Sequence, residues 1–436
     1  MTGGKIGKMQ EFLVTAIDIG TQKISASCGL SSIGKEVEIL GSSCVYSKGV
    51  EKGKITDVEK CKEAFLEALD NLEDDIDREI KDIYIGLPVE DVRIEEYSCE
   101  QNINGVVTPK NLRNALEFIK ENTFVNDDEQ ICDIFINYYK VDEKLSLDLT
   151  ETLEGDKLLV NATVVICKRE IIRNYMELCA GTRYSIKGFI VNIISLKKIF
   201  FFRDQLGERV MVESGAALTE VAIFKDGIVK EIFSIPLGGN NITSDLSICA
   251  GLSMKEAEEM KCEYSNNYKS LYNEKDEKEL TLGEKTIHKE LFYKVCEARI
   301  EEILNYVNNE LKNTGHFDNL CSIILCSDSL TNFENIDQLS KEILNDRVRI
   351  FTKNDFGMQN FSNITSLAIV KEVHDRVELI CEEFTNDSKE INLIFEKVSD
   401  INDNEKYDIE KDDLVKKKTN NKGIRGKIRS LLKDIF

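Results

Sequence analysis

Asp18, Gly20, Thr21 and Lys23 form a short group with chemistry to offer. Apolar residues run into it from Phe12 to Ile17 and out of it at Ile24, Ala26 and Cys28. This is the pattern of a β-hairpin turned around an anion. The flanks are strand-like, glycine permits the tight turn, and the freed backbone N–H groups can face a phosphate. Asp18 could orient a metal ion or its waters, while Thr21 and Lys23 could contact phosphate oxygens. An ordinary Asp-x-Gly turn looks the same locally, so the rest of the chain has to decide. Arg209 to Gly227 repeats the scheme, with Glu213 and Gly215 at the turn and Thr219 and Glu220 opening the return strand. Leu237-Gly238-Gly239-Asn240 then reads as a glycine turn that opens a helix, whose terminal N–H groups suit an anion.

The elements needed to hold these groups are legible. Strands are expected over 12–30 and 36–46, then a glycine-punctuated loop from Gly49 to Asp57. Val58, Cys61, Ala64, Phe65, Ala68 and Leu72 recur at helical spacing, and Asp82 to Pro88 is a strand. Residues 89–165 change character: strand-like Val89–Glu96, Ile131–Val141 and Lys157–Cys167 surround one helix, Pro109 to Glu121. A helix from Lys168 to Ala180 and a strand from Tyr184 to Val191 restore the first scheme. After 206 the second half repeats it, with a charged helical stretch over 254–312, a strand at Cys321–Cys326 and a turn at Ser327-Asp328-Ser329. Mixed strand and helix order implies α/β layers, and two similar hairpins imply two α/β halves facing a cleft.

The chain has 436 residues, 42% hydrophobic and 31% charged, with net charge −22. Its length implies more than one subdomain, and its charge argues against nucleic acid as a partner. Thirteen cysteines without a Cys-x-x-Cys pair, and no export signal at the N-terminus, lead to an expectation of reduced thiols. The three histidines are far apart, so neither a zinc site nor a His-based triad is expected.

Ile235-Pro236-Leu237-Gly238-Gly239-Asn240-Asn241-Ile242-Thr243 and Ala257-Glu258-Glu259-Met260-Lys261 resemble motifs of FtsA. This is a bacterial cell division family within the actin/hexokinase/Hsp70 ATPase superfamily. The resemblance covers about residues 10–380. It implies a two-lobed actin-like α/β fold with a small inserted α+β subdomain. The expected parts are 10–88 and 166–205 for the first lobe and 89–165 for the insertion. The second lobe takes 206–382, with a helical small subdomain at about 251–320. The resemblance implies ATP with Mg²⁺ as cofactor. Its nucleotide contacts would be Asp18, Gly20, Thr21, Lys23, Glu213, Gly215, Thr219, Gly238, Gly239, Asn240, Glu258, Lys261, Ser327 and Asp328, with Asp18 toward the metal. Two of three nucleotide loops depart from the family pattern. Ala216 and Ala217 stand at glycine positions, and Ser327-Asp328-Ser329 replaces a glycine triplet, which implies weakened binding and at most weak hydrolysis. The partners implied are the C-terminal peptide of FtsZ, which docks on the helical small subdomain, and further copies of the chain in a polymer. The site of action implied is the cytoplasmic face of the plasma membrane at the division site. A pilus-assembly actin homologue and a sugar or acetate kinase are the alternatives.

The tail supports a membrane role on its own spacing. Residues 383–420 read as an acidic flexible linker. Beyond it, over 421–436, Ile424, Ile428, Leu431, Leu432, Ile435 and Phe436 share one helical face, with Arg425, Lys427, Arg429 and Lys433 mainly outside it. A basic amphipathic helix of this kind suits an anionic membrane surface.

Overall fold

The structure, a computed structural model, describes residues 11–149, 151–201, 206–265, 278–327, 329–333, 336–351, 361–376 and 393–397. The first lobe opens with an antiparallel meander of β1 (Glu11–Ile19), β2 (Lys23–Ser32) and β3 (Glu38–Tyr46). A small hairpin, β4 (Val50–Glu51) with β5 (Lys54–Ile55), leads into α1 (Val58–Ile76). Asp57 caps α1 by accepting the Lys60 N–H, and the residues at helical spacing, Cys61 to Leu72, are buried beneath it. Burying Phe65 fully contributes about 2–3 kcal/mol. β6 (Asp82–Leu87) then runs parallel to β1.

The chain leaves the lobe for a separate sheet made of β7 (Val92–Val106), β8 (Glu129–Val141), β9 (Lys144–Ser146) and β10 (Glu154–Lys168). Between β7 and β8, α2 (Pro109–Asn122) covers one face with Leu112, Ala115 and Ile119. Its start is well specified: Thr108 and Asn111 form a capping box, and Pro109 takes a first-turn position where a missing N–H costs nothing. The first lobe resumes with α3 (Arg169–Cys179), β11 (Ser185–Val191), α4 (Asn192–Ser195) and α5 (Lys197–Phe200).

The second lobe repeats the first. β12 (Glu208–Ser214), β13 (Thr219–Lys225) and β14 (Ile228–Ile235) form a meander, followed by α6 (Gly239–Ala250) and α7 (Met254–Tyr264). Next come the hairpin β15 (Glu279–Leu282) and β16 (Lys285–His288), α8 (Lys289–Asn313), β17 (Leu320–Ser327), α9 (Ile336–Leu344) and β18 (Val348–Phe351). The two sheets have the orders β11-β6-β1-β2-β3 and β14-β13-β12-β17-β18. Each is a three-stranded meander whose first strand is extended by two parallel strands, so the duplication is one of topology. The two lobes are closed by α10 (Ile364–Asp375), buried on nearly every face. It packs Ile369, Val370 and Val373 on the first sheet, and Ile364, Leu367 and Ala368 beside Met211, Phe224 and Ile324 of the second.

Three expectations are corrected. The strand expected to end at Glu96 continues to Val106, with Tyr97, Cys99, Gln101 and Ile103 facing inward. Leu393–Lys397, placed by the sequence in the linker, is a strand, β19, paired antiparallel with β7. Cys132 on β8 and Cys167 on β10 form a disulfide with Cα atoms 6.4 Å apart, against the expectation of reduced thiols. Neighbouring antiparallel strands bring the two together, which their separation in sequence hides. The remainder of the linker and the residues expected to form the tail helix, Ile424, Arg425, Lys427, Ile428, Arg429, Leu431, Leu432, Lys433, Ile435 and Phe436, lie outside the described residues. Among the described residues no helix is long and apolar enough to cross a membrane.

Candidate functional site: the cleft between two matched hairpins

The first hairpins of the two lobes meet at the cleft, and they are built alike. Asp18 pairs with Ser25 and Ile19 with Ile24; Glu213 pairs with Glu220 and Ser214 with Thr219. At each turn the glycine N–H donates back across the hairpin, from Gly20 to the Lys23 carbonyl (2.9 Å) and from Gly215 to the Leu218 carbonyl (2.8 Å). Asp18 and Glu213 are therefore structural counterparts. Both line a cavity of about 120 Å³ together with Gly20, Thr21, Lys23, Gly215, Gly239 and Lys261. These eight expected residues are brought together. Gln22, Ser25, Ala216, Ser329, Ser362, Ile364 and Thr365 complete the lining.

The electrostatics favour protonation of the buried acids. Burial pushes the Asp18 carboxyl up to about 6, against the opposing effects of the Asn192 side-chain amide (2.8 Å) and the Lys23 charge. Burial likewise raises Glu220 to about 7, aided by the charges of Asp18 and Glu90 and opposed by the Val89 N–H, which donates to it at 2.5 Å. Neither Asn192 nor Glu220 stood among the expected contacts. Glu220 lay inside the hairpin motif, and its position opposite Glu213 in register was the available signal.

Several expected contacts are engaged by the protein itself. Lys261 directs its ammonium to the Gly239 carbonyl (3.1 Å), the Thr243 hydroxyl (2.8 Å) and Glu258 (2.6 Å). A lysine has three N–H donors, so a phosphate would have to displace one of these. Glu258 also accepts from Gln22 (2.9 Å), which ties the first hairpin to α7, and from Thr243. Burial alone would raise the Glu258 carboxyl; the Lys261 charge and these hydrogen bonds outweigh it and hold it below the ordinary value. The Thr219 hydroxyl is buried and contacts Ser214 and the Leu237 carbonyl. The Ser327 hydroxyl donates to the Ser214 carbonyl (2.6 Å) and accepts the N–H groups of Ser329 and Leu330, so it shapes its own turn. Asp328 lies outside the described residues.

The opening of α6 is the clearest correction. Its N–H groups were expected to face an anion, yet those of Gly239 and Asn240 donate to the carbonyls of Gly215 (3.0 Å) and Ala216 (2.7 Å). Gly238 allows this contact: a Cβ there would stand 2.5 Å from the Gly215 oxygen and 2.9 Å from Ala216 backbone atoms. The glycine pair brings backbone to backbone. Thr21, expected at a phosphate, accepts the Gly53 N–H (3.0 Å), and Lys23 donates to Ser362 (2.6 Å).

For a Mg²⁺–nucleotide the described residues fit the metal and phosphate end. Asp18 and Glu213 supply hard oxygen donors beside Lys23, a set suited to a hydrated divalent cation and a phosphate. Among the described residues the nucleoside end has little room. Small-molecule sites run to roughly 300–1,000 Å³, and the Ser327 and Ser329 hydroxyls already close on Ser214.

A duplicated meander sheet with a cleft between the two turns is the architecture of an actin-like fold. Among solved structures, the type IV pilus biogenesis complex PilM–PilN superposes with a TM-score of 0.51 at 12% identity, over 84% of this chain and 97% of that one. Within the class, the family model of the cell division protein FtsA matches residues 210–368. FtsA of Bacillus subtilis (strain 168) is 23% identical over 82% of this chain and 83% of its own length. FtsA of Escherichia coli (strain K12) is 22% identical over 78% and 83%. These likenesses support reading the chain as a divergent relative of FtsA.

Proposed function

We propose that this protein is a membrane adaptor of cell division. In this reading it holds filaments of the tubulin-like protein FtsZ against the inner face of the plasma membrane at the division site, and self-assembles through its actin-like body. The carrying observation is that one chain combines the FtsA match and two-lobed fold with a basic amphipathic C-terminus. The FtsZ tail would dock on the small subdomain of α7, β15, β16 and α8. There Cys296, Ile300, Ile303, Leu304 and Val307 are buried as a platform, while Met254 and Tyr306 stay exposed. The division role and the membrane role are tested together. A pull-down with the C-terminal peptide of FtsZ should retain the protein; no binding by a chain that still reaches membranes would sink the division reading. Replacing Leu431 and Leu432 with Glu should release the protein from anionic liposomes, and unchanged cosedimentation would refute the anchor.

Nucleotide binding is proposed to be weak. Asp18, Glu213 and Lys23 would meet the metal and phosphates, and a bound nucleotide would supply an assembly signal through lobe closure. ATP titrated with Mg²⁺ should give little or no saturable signal; tight Mg²⁺-dependent binding would show that the lobes open to make the missing space.

A further inference from the structure

A second cavity, of about 710 Å³, lies where the inserted sheet meets the first lobe. Its walls are mixed, with an apolar strip that includes Leu116 of α2, Ile134 of β8 and Phe189 of β11. Its floor is ionic. The Arg376 guanidinium donates to both oxygens of Asp133 (2.9 and 2.8 Å) and to Glu372. Lys198 pairs with Asp375 at 2.7 Å and Glu372 at 3.4 Å. These contacts set two cations against the three carboxylates of Asp133, Glu372 and Asp375.

Lys197, beside them on α5, differs. Its ammonium stands 5.2 Å from the centre of the Phe135 ring and has no hydrogen bond or ion pair among the described residues. Burial lowers its pKa to about 8; the Glu372 and Asp375 charges oppose this, and those of Lys198 and Arg376 add to it. It therefore remains mostly charged at neutral pH, a group with three N–H donors in the cavity lining. No described residue accepts a hydrogen bond from this ammonium, and an anion entering the cavity would supply an acceptor. The lining carries seven Lys and Arg against six Asp and Glu, in a chain whose net charge is −22. The volume exceeds an inorganic ion and falls within the range for small organic ligands.

We propose that this cavity binds a small organic anion, its acidic head on Lys197 and its apolar body along Leu116, Ile134, Phe135 and Phe189. The site is separate from the interlobe cleft. It sits between the first lobe and the insertion, so occupancy would fix the angle between them.

The probe is 8-anilinonaphthalene-1-sulfonate, an aromatic anion, titrated by fluorescence against the full chain. Saturable binding is expected, displaced by dodecanoate but not by dodecanol or inorganic phosphate. Lys197→Met should weaken it about tenfold or more while the thermal melt stays in place. Leu116→Trp, which fills the cavity and keeps the charge, should also weaken it, so the proposal remains testable if one variant fails to fold. The chain carrying Leu431→Glu and Leu432→Glu should bind equally, which separates this cavity from the amphipathic tail. Equal binding by wild type and Lys197→Met, dodecanol competing as well as dodecanoate, loss of binding with the tail substitutions, or no saturable binding would each overturn the proposal.

Discussion

Replacing Glu220 with Gln should make the protein more stable above neutral pH and leave it unchanged in acid. Glu220 is buried at the interface of the lobes, accepts the Val89 N–H, and has its pKa raised from 4.5 to about 7. A folded-state pKa above the unfolded value means that the native protein holds the extra proton. The stabilisation is complete below about pH 4.5 and is lost as pH rises through 7. At about 1.4 kcal/mol per pH unit, the loss is on the order of 3 kcal/mol. Asp18, raised from 3.8 to about 6, acts in the same direction between about pH 4 and 6. Gln keeps an oxygen for Val89 and removes the charge, which also relieves Asp18. Urea unfolding followed by circular dichroism at pH 4.5 and pH 8 measures the effect. Wild type should lose stability between the two, and Glu220→Gln should lose less, by up to about 3 kcal/mol. Parallel pH profiles for the two proteins, or a variant less stable than wild type at pH 8, would refute the reasoning.

Gly238→Ala should cost about 1–3 kcal/mol by overpacking. The φ of −170° suits alanine, but the new Cβ would meet the Gly215 and Ala216 backbone. Gly251→Ala is the contrasting case. Its Cβ meets open space, but φ of 63° puts the residue in the left-handed region, for a loss near 1 kcal/mol. Denaturant midpoints should rank the two, and equal small effects would mean that the α6 opening is not tightly packed. Lys261→Met should cost roughly 2–3 kcal/mol in the same assay, because Glu258 would keep a half-buried charge without its partner. A neutral result would show that Gln22 and Thr243 suffice to hold that carboxylate.

The frame was legible where residue type dictates geometry. Phe65 and its neighbours on α1 follow the helical period, and Asp18 and Glu213 mark two turns that close on glycine in the same register. The long β7 was truncated because its inward face reads Tyr97, Cys99, Gln101, Ile103. A buried glutamine breaks the apolar alternation that marks a strand, although the Gln101 amide nitrogen donates to the Asn111 carbonyl (2.8 Å). The disulfide and the ionic floor beside Lys197 depend on strands and helices distant in sequence, so no local pattern announces them. The candidate site was half legible, and the reason is specific. Gly238 and Gly239 signal that something must come close to the backbone, but a phosphate and the chain's own carbonyl make the same demand. Lys261 and Ser327 are ambiguous in the same way, since a group able to hold a ligand is equally able to hold α6 or a turn. Here the protein supplies the partner in each case: the Gly215 carbonyl for the α6 N–H, Glu258 for Lys261, Ser214 for Ser327. The second-lobe loops have thus become part of the packing. The Asp18 hairpin, with Glu213 opposite, is the side of the cleft that still presents metal- and phosphate-type groups.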